Sequence, residues 1–283
     1  MAGAFYTLEN MAFDIDLVGK IGSMALIDRE SNNINYNIIA RLSHELKPGM
    51  VWVTSGAVEI GKLDYYDRFG KYLDDNSEDA KTDYAAQGQP ILMNAYRQFI
   101  NSKYAVRQLL VEHQHFNNEE KRKHLYDFIM RCPAQNAIPI INYNDAVSYE
   151  ENRKWEINNL KNKKEKVIEC IDNDETASQI ACLVKCKTLL ILTVSNGIYS
   201  NPEDSSSLIE TISGNNVDEL LENITKMQEH CSGASRKGAN GAKAKLEYIK
   251  EPVKNGTTVY IASSKYLISD ILSGNAPCTR IGL

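Results

Sequence analysis

The chain has 283 residues, 43% of them hydrophobic and 24% charged, which is ordinary globular usage and excludes a disordered chain. A net charge of −5 leaves no basic footprint for nucleic acid, and no run approaches the roughly 18 apolar residues of a membrane span. Met1 to Asn10 lacks the basic start and apolar core of a secretory leader, so a soluble, cytoplasmic protein is expected.

Asp16 to Ser23 reads as a short strand running into a Gly/Ser turn. Ile34, Ile38, Leu42 and Leu46 recur every four residues, the stripe of an amphipathic helix that Pro48-Gly49 closes. Met50 to Val53 is a buried strand, Thr54 to Ala57 a tight turn, and a second helix starts near Val58. This strand–helix–strand–turn–helix rhythm is that of a parallel sheet with crossover helices. Residues 62–84 are charged and Tyr/Asp-rich without a clear period, and are expected to be irregular. Helical spacing returns from Ala85 to Tyr104. Val106 to Val111 and Ile138 to Ile141 read as strands, with a helix from His124 to Met130 between them. Residues 149–169, rich in Lys, Glu and Asn, read as a solvated excursion or hairpin. Beyond it come a helix from Thr176 to Lys185, a strand from Thr188 to Leu192 and a helix from Val217 to Glu229. Ser232 to Lys243 is a Gly/Ala/Lys/Ser-rich loop, Thr257 to Ala262 a last strand and Tyr266 to Leu272 a last helix. No repeat or linker divides these elements, so one doubly wound domain over residues 1–283 is expected.

The six cysteines include no C-x-x-C pair and read as reduced core thiols. Cys182 and Cys186, four apart on what reads as one helix, would face one another. His113 and His115 alternate without a third ligand, so no metal site is expected.

Two segments carry amide and carboxylate groups at or near the ends of apolar runs: Ile138 to Asp145, and Asp172-Asn173-Asp174. Ligands bind at the carboxyl ends of parallel strands, so one polar site assembled from separate strand ends is implied. Lys20 stands beside Gly22 and Ser23, Ser55-Gly56 opens a helix, and Lys245 follows a glycine-containing loop. Backbone amides at a helix start, with lysines nearby, form an anion site. Two lysines held by an acidic group between them would supply the positive charge that phosphoryl transfer needs. Neither a Walker A motif nor a protein-kinase H-R-D loop is present, so the class of phosphotransferase must be another.

From about Asp16 to Thr279 the chain resembles the amino acid kinases, most closely their glutamate 5-kinase branch. The family's Val-Lys-(Ile/Leu)-Gly-(Ser/Thr) is similar to Gly19 to Ser23, and its Val-(Ser/Thr)-Ser-Gly-Ala to Val53 to Ala57. Ala-Ala-x-Gly-Gln is met by Ala85 to Gln89. Pro-Ile-Ile-Asn-Glu-Asn-Asp is met by Pro139 to Asp145 with Tyr143 for Glu, and Gly-Asp-Asn-Asp by Asp172 to Asp174 with Ile171 for Gly.

The resemblance implies a three-layer α/β/α sandwich with a mainly parallel central sheet. An acceptor half would cover about 16–172 and a nucleotide half about 173–283. It implies ATP and Mg2+, a small acidic acceptor such as the side-chain carboxylate of an amino acid, and a homo-oligomer. Lys20 and Lys245 would neutralise the phosphoryl group in flight, with Asp172 orienting them. Ser55, Gly56, Ala57, Asp145 and Asn173 would hold the acceptor, with Asp174 supporting. Gly22, Ser23, Thr193, Val194, Gly238, Gly241 and Lys245 would hold the nucleotide.

The departures are also specific. The family's Gly-Thr-Gly-Gly-Met-x-Thr-Lys loop becomes Gly238 to Lys245 with both threonines and one glycine gone. Thr193-Val194 stands where Thr-Asp is usual, and the excursion between Asp145 and Asp172 is long. The chain ends at Leu283, so the RNA-modification-type domain that follows many such kinases is not expected. Two alternatives follow: another small acidic acceptor (carboxylate, phosphonate or nucleoside monophosphate), or a ligand-binding homologue without turnover.

Overall fold

The computed structural model describes residues 15–73, 77–164, 166–170, 172–201, 203–230 and 241–283. The chain starts with β1 (Ile15–Ile21), α1 (Ser23–Leu26), a small hairpin of β2 (Ile27–Asp28) and β3 (Asn33–Ile34), and α2 (Tyr36–Glu45). Then come β4 (Met50–Val53), α3 (Ala57–Phe69), α4 (Glu78–Phe99) and β5 (Ala105–Val111). Next are α5 (Gln114–Asn117), α6 (Glu119–Arg131), β6 (Ala137–Tyr143) and α7 (Glu150–Lys161). The remainder holds α8 (Asn173–Leu183), β7 (Cys186–Thr193), β8 (Thr211–Ile212), α9 (Val217–His230) and α10 (Ala242–Tyr248). It closes with α11 (Lys250–Lys254), β9 (Thr258–Ser263), α12 (Ile268–Leu272) and β10 (Cys278–Ile281).

Eight strands form one sheet in the order β5-β6-β4-β1-β7-β9-β10-β8, parallel throughout except for the β9–β10 pair. The apolar runs are buried on both faces, as parallel strands covered by helices must be. Val51, Val53, Ile141, Leu189 and Ile191 face one core with α6, α8, α9, α10 and α11. Trp52, Ile138, Ile140, Leu190 and Leu192 face the other with α2, α3, α4 and α12. The expected three-layer sandwich is therefore present.

Several segments differ from the sequence reading, each for a physical reason. Residues 62–84 are not irregular: α3 runs on to Phe69 and α4 begins at Glu78. The Ser77 side chain caps α4 by accepting from the Ala80 amide at 3.1 Å, with Glu78 and Asp79 in the first turn. These two helices bury a face against each other rather than a regular stripe against the sheet. Their axes meet at two glycines: a Cβ on Gly61 would lie 1.8 Å from the Tyr84 carbonyl oxygen, and one on Gly88 1.9 Å from that of Ala57. Residues 150–161 are helical as α7, but only Ile157 among them is buried, so no apolar stripe betrays the helix.

Cys182 and Cys186 do not share a helix, because α8 ends at Leu183 and Cys186 starts β7. Ile34 and Leu46 fall just outside α2, which the Asn35 side chain caps by accepting from Ile38 at 3.1 Å. The expected loop from Ser232 lies outside the described residues up to 240, and Ala242 and Lys243 are already helical. No helix among the described residues is long and apolar enough to cross a membrane.

Candidate active site

Sheet register brings the polar strand ends together. Lys20 is opposite Val53 on β4 and Ile191 on β7, and Val53 is opposite Ile141 on β6. The residues just beyond these positions therefore lie side by side at one sheet edge. β1 is also where the chain reverses its direction of winding, since β4 and β6 lie on one side and β7 on the other. That is the crevice in which open α/β sheets bind ligands.

A cleft of about 550 Å³ opens there. Lys20, Gly22 and Ser23 line it from β1 and α1, and Ser55, Gly56 and Ala57 from the start of α3. Asp145 enters from beyond β6, Asp172 to Asp174 from the start of α8, Thr193 and Val194 from the end of β7, and Lys245 from α10. Of the nucleotide residues read from the sequence, Gly241 precedes α10 and does not line the cleft. Gly238 lies outside the described residues. Met24, Val58, Glu59 and Lys81 also line the cleft and were not foreseen.

Asp174 is the centre of the charge arrangement. Its carboxylate pairs with the Lys20 ammonium at 2.6 Å and the Lys245 ammonium at 3.0 Å. Asp174 and Lys20 are only 4% and 7% exposed. Burial alone would raise the Asp174 pKa, but the charges of Lys20 and Lys245 and their hydrogen bonds override it and hold the carboxyl below its ordinary range. This corrects the sequence reading, which gave the orienting role to Asp172. Asp172 instead sits at the N-cap of α8, where its carboxylate accepts from the amides of Asp174 and Glu175 at 2.9 and 3.0 Å. Its Oδ1 thus caps its own helix start while the residue still lines the cleft, and Asp174, two residues on, is the carboxylate that pairs with both lysines.

The amides form a second chain of contacts. Asn173 Nδ2 donates to Ser55 Oγ at 3.1 Å and to Asn142 Oδ1 at 3.0 Å. Asn142 Nδ2 donates in turn to Gln89 Oε1 at 2.8 Å. Four of the sequence motifs thus meet in one network, with Gln89 and Asn142 buried as its anchor. Asn142 and Gln89 were not singled out as site residues, although both belong to quoted motifs. Beneath Ser55, Thr54 Oγ1 and Trp52 Nε1 both meet the Tyr96 hydroxyl, at 2.9 and 3.0 Å, which ties β4 to α4.

Glycines line the mouth. Gly56 has φ of +97°, a left-handed conformation that an L side chain would strain, and it caps α3 without a side chain. Gly22 has an ordinary extended backbone, and a Cβ there would make only an ordinary contact, 3.6 Å from the Lys20 ammonium. Asp145 is pushed up to about 6, first by burial and then by Glu59, against the opposing pull of Arg153 and Lys81. His113, one of the H-x-H pair, contacts Glu156 at 2.8 Å. Among the described residues no group of three or more His, Cys, Asp or Glu gathers as a metal site.

Lys20 at the end of β1 and Lys245 on α10, paired with one buried carboxylate on α8 beside the start of α3, form a cleft suited to an anionic group. The amino acid kinase family model matches residues 17–263. A glutamate 5-kinase from Geobacillus thermodenitrificans is 28% identical over 278 residues, covering 94% of this chain and 67% of that protein. A glutamate 5-kinase from Clostridium perfringens is 30% identical over 275 residues, covering 91% of each. Among solved structures, carbamate kinase from Giardia lamblia bound to AMP-PNP aligns with a TM-score of 0.57 at 15% identity, covering 95% of this chain and 98% of that one. UMP kinase from Ureaplasma parvum aligns with a TM-score of 0.54 at 12% identity, covering 95% and 99%. These structural likenesses carry the fold alone.

The chain belongs to the amino acid kinase family. In class it is an ATP-dependent phosphotransferase.

Proposed function

We propose that this chain transfers the γ-phosphoryl group of ATP to the side-chain carboxylate of L-glutamate, giving an acyl phosphate. The observation that carries the reading is the buried Asp174 carboxylate shared by Lys20 and Lys245. Before the nucleotide arrives, Asp174 neutralises the two ammonium groups and fixes their positions. When a carboxylate oxygen attacks the γ-phosphorus, the bond to the ADP oxygen breaks and ADP leaves with the electron pair. The charge spread over the phosphoryl oxygens then falls beside two preorganised cations.

A carboxylate acceptor suits this cleft because it is already ionised at neutral pH and needs no general base. Ser55 and Asn173 would hold the reacting carboxylate through the network anchored on Asn142 and Gln89. Asp145 would meet the acceptor's ammonium group. The halves of the sheet divide the work: β5, β6, β4 and β1 with the start of α8 frame the acceptor, while β7 and α10 frame the nucleotide. Gly22, Ser23, Thr193 and Val194 would border the phosphates there. Mg2+ would enter on those phosphates and neutralise part of their charge, since the described residues gather no cage of their own. The names of the sequence relatives support glutamate over other acids.

A second reading, another small acid as acceptor, is favoured by Tyr143, which stands at the acceptor end where the family motif carries Glu. Coupled measurement of ADP release with Mg-ATP and a panel of small acids tests the choice. Glutamate giving the highest kcat/KM supports the first reading, and a higher value for any other acid replaces it.

A further inference from the structure

A smaller cavity of about 170 Å³ continues the cleft on the acceptor side. Val58, Lys81 and Asp145 line both spaces, and Tyr143, Ser148 and Arg153 close the far end. Arg153 comes from α7, the segment inserted between the two acidic motifs. Its guanidinium lies 5.8 Å from the centre of the Tyr143 ring, whose hydroxyl meets Ser148 Oγ at 3.0 Å. Tyr143 therefore replaces a motif acid with an aromatic surface for a cation.

The nearby acids on this wall have other partners. Glu78 accepts from the Glu150 amide at 2.7 Å, and Glu150 pairs with Lys154. Among the described residues neither Lys81 nor Arg153 is in a salt bridge. Lys81, Arg153 and Glu59 all act electrostatically on the Asp145 carboxyl. With Glu78 and Glu150 engaged in this way, Lys81, Arg153 and the Asp145 carboxylate are left facing the small cavity, while Glu59 lines the adjoining cleft; this is the charge complement of a zwitterion. An amino acid head, with one ammonium and one carboxylate, is such a group.

We propose that Lys81 and Arg153 form an anion subsite for the acceptor's non-reacting carboxylate, while Asp145 takes its ammonium group. This deepens the functional reading above and rests on it for the amino acid nature of the acceptor. Arg153 is the selective member, because its planar fork, held against Tyr143, matches a carboxylate with two parallel hydrogen bonds. Tyr143 and Arg153 thus act as a pair, and the substitution in the motif and the long insertion have one explanation.

The test uses 4-aminobutyrate, which keeps the chain, ammonium and reacting carboxylate of L-glutamate but lacks the second carboxylate. Both compounds are titrated calorimetrically into the full chain, Arg153→Met, Lys81→Met and the double variant. The wild type should bind glutamate at least about tenfold more tightly, the value of a charged hydrogen-bonded pair. The double variant should bring the two affinities within about threefold. Lys154→Met, on the same helix and tied only to Glu150, should keep the full preference, and Arg153→Lys should lose part of it. Thermal melting checks that each variant is folded. A preference that survives the double variant, or its absence in the wild type, overturns the subsite. ADP release is read separately. Binding preference without turnover refutes the kinase reading and leaves the subsite standing, whereas glutamate turnover without the preference does the reverse.

Discussion

Replacing Asp174 by Asn keeps the shape of the side chain and removes the charge that two ammonium groups share. The lysine nitrogens sit 2.6 and 3.0 Å from its oxygens, and Asp174 is 4% exposed, so water cannot readily take its place. At about 3 Å and an effective dielectric of ~20, each pair is worth about 5 kcal/mol before desolvation is subtracted. Removing one partner of a buried ion pair costs about 3–5 kcal/mol. The lower figure applies, because Lys245 keeps 19% of its side chain in water and can turn outward. About 3 kcal/mol corresponds to a fall in melting temperature of about 6–12 °C for a domain of this size.

The same change should lower kcat by about 100- to 1000-fold, as loss of a preorganised charge does. The pH dependence has a definite sign. Because the folded pKa of Asp174 is depressed, its contribution is complete above its ordinary value of 3.8 and is lost as pH falls through the lower folded value. The stability gap between wild type and Asp174→Asn should therefore close only in strong acid. Melting followed by circular dichroism, together with ADP release, measures both effects. A variant that melts with the wild type and turns over at full rate would refute the charge-bridge argument.

Asp145→Asn should raise stability at pH 7 by about 1–2 kcal/mol, discounted for the water that reaches this carboxyl, because a buried charge is removed. It should also raise the acceptor KM, and in the wild type that KM should rise as pH falls through about 6, where Asp145 takes up a proton. Steady-state kinetics from pH 5 to 8 decide this, a flat acceptor KM being the contrary result. Gly88→Ala would put a Cβ 1.9 Å from the Ala57 carbonyl oxygen and 2.4 Å from the Gly61 nitrogen, forcing α3 and α4 apart. A loss of about 3 kcal/mol in denaturant titrations is expected, and an unchanged midpoint would show that the crossing yields. Gln89→Leu leaves the buried Asn142 amide without its 2.8 Å acceptor. It should cost about 1–3 kcal/mol and raise the acceptor KM more than the ATP KM.

Legibility in the sequence followed how directly each residue meets the sheet. The strands β1, β4, β6, β7 and β9 are built on apolar stretches, because both faces of the sheet are covered, and their limits were readable to within a few residues. The helices α3 and α4 were hidden where they pack on each other through Gly61 and Gly88, since glycine contacts leave no hydrophobic period. The N-cap at Ser77 with two acids after it was a signal present in the sequence and left unread. α7 offers only Ile157 to the core, and β10 has four residues, too short for alternation to register.

At the site, the residue types were legible and their division of labour was not. Asp172, Asn173 and Asp174 stand together in the sequence, but a helix start separates them. The first residue turns back to cap its own amides, the second joins the amide network and the third faces the lysines. An Asp directly before a helical run is itself a capping signal, so the distinction could have been drawn. Lys81 and Arg153 carry no motif, and only the fold brings them beside Asp145.

The most direct test of the central claim is trapping of the product. The protein is incubated with Mg-ATP, L-glutamate and hydroxylamine, and both ADP and γ-glutamyl hydroxamate are quantified for the wild type and for Asp174→Asn. The account predicts equal amounts of ADP and hydroxamate from the wild type and loss of both in the variant. ADP without hydroxamate, or hydroxamate from the variant at the wild-type rate, would contradict it.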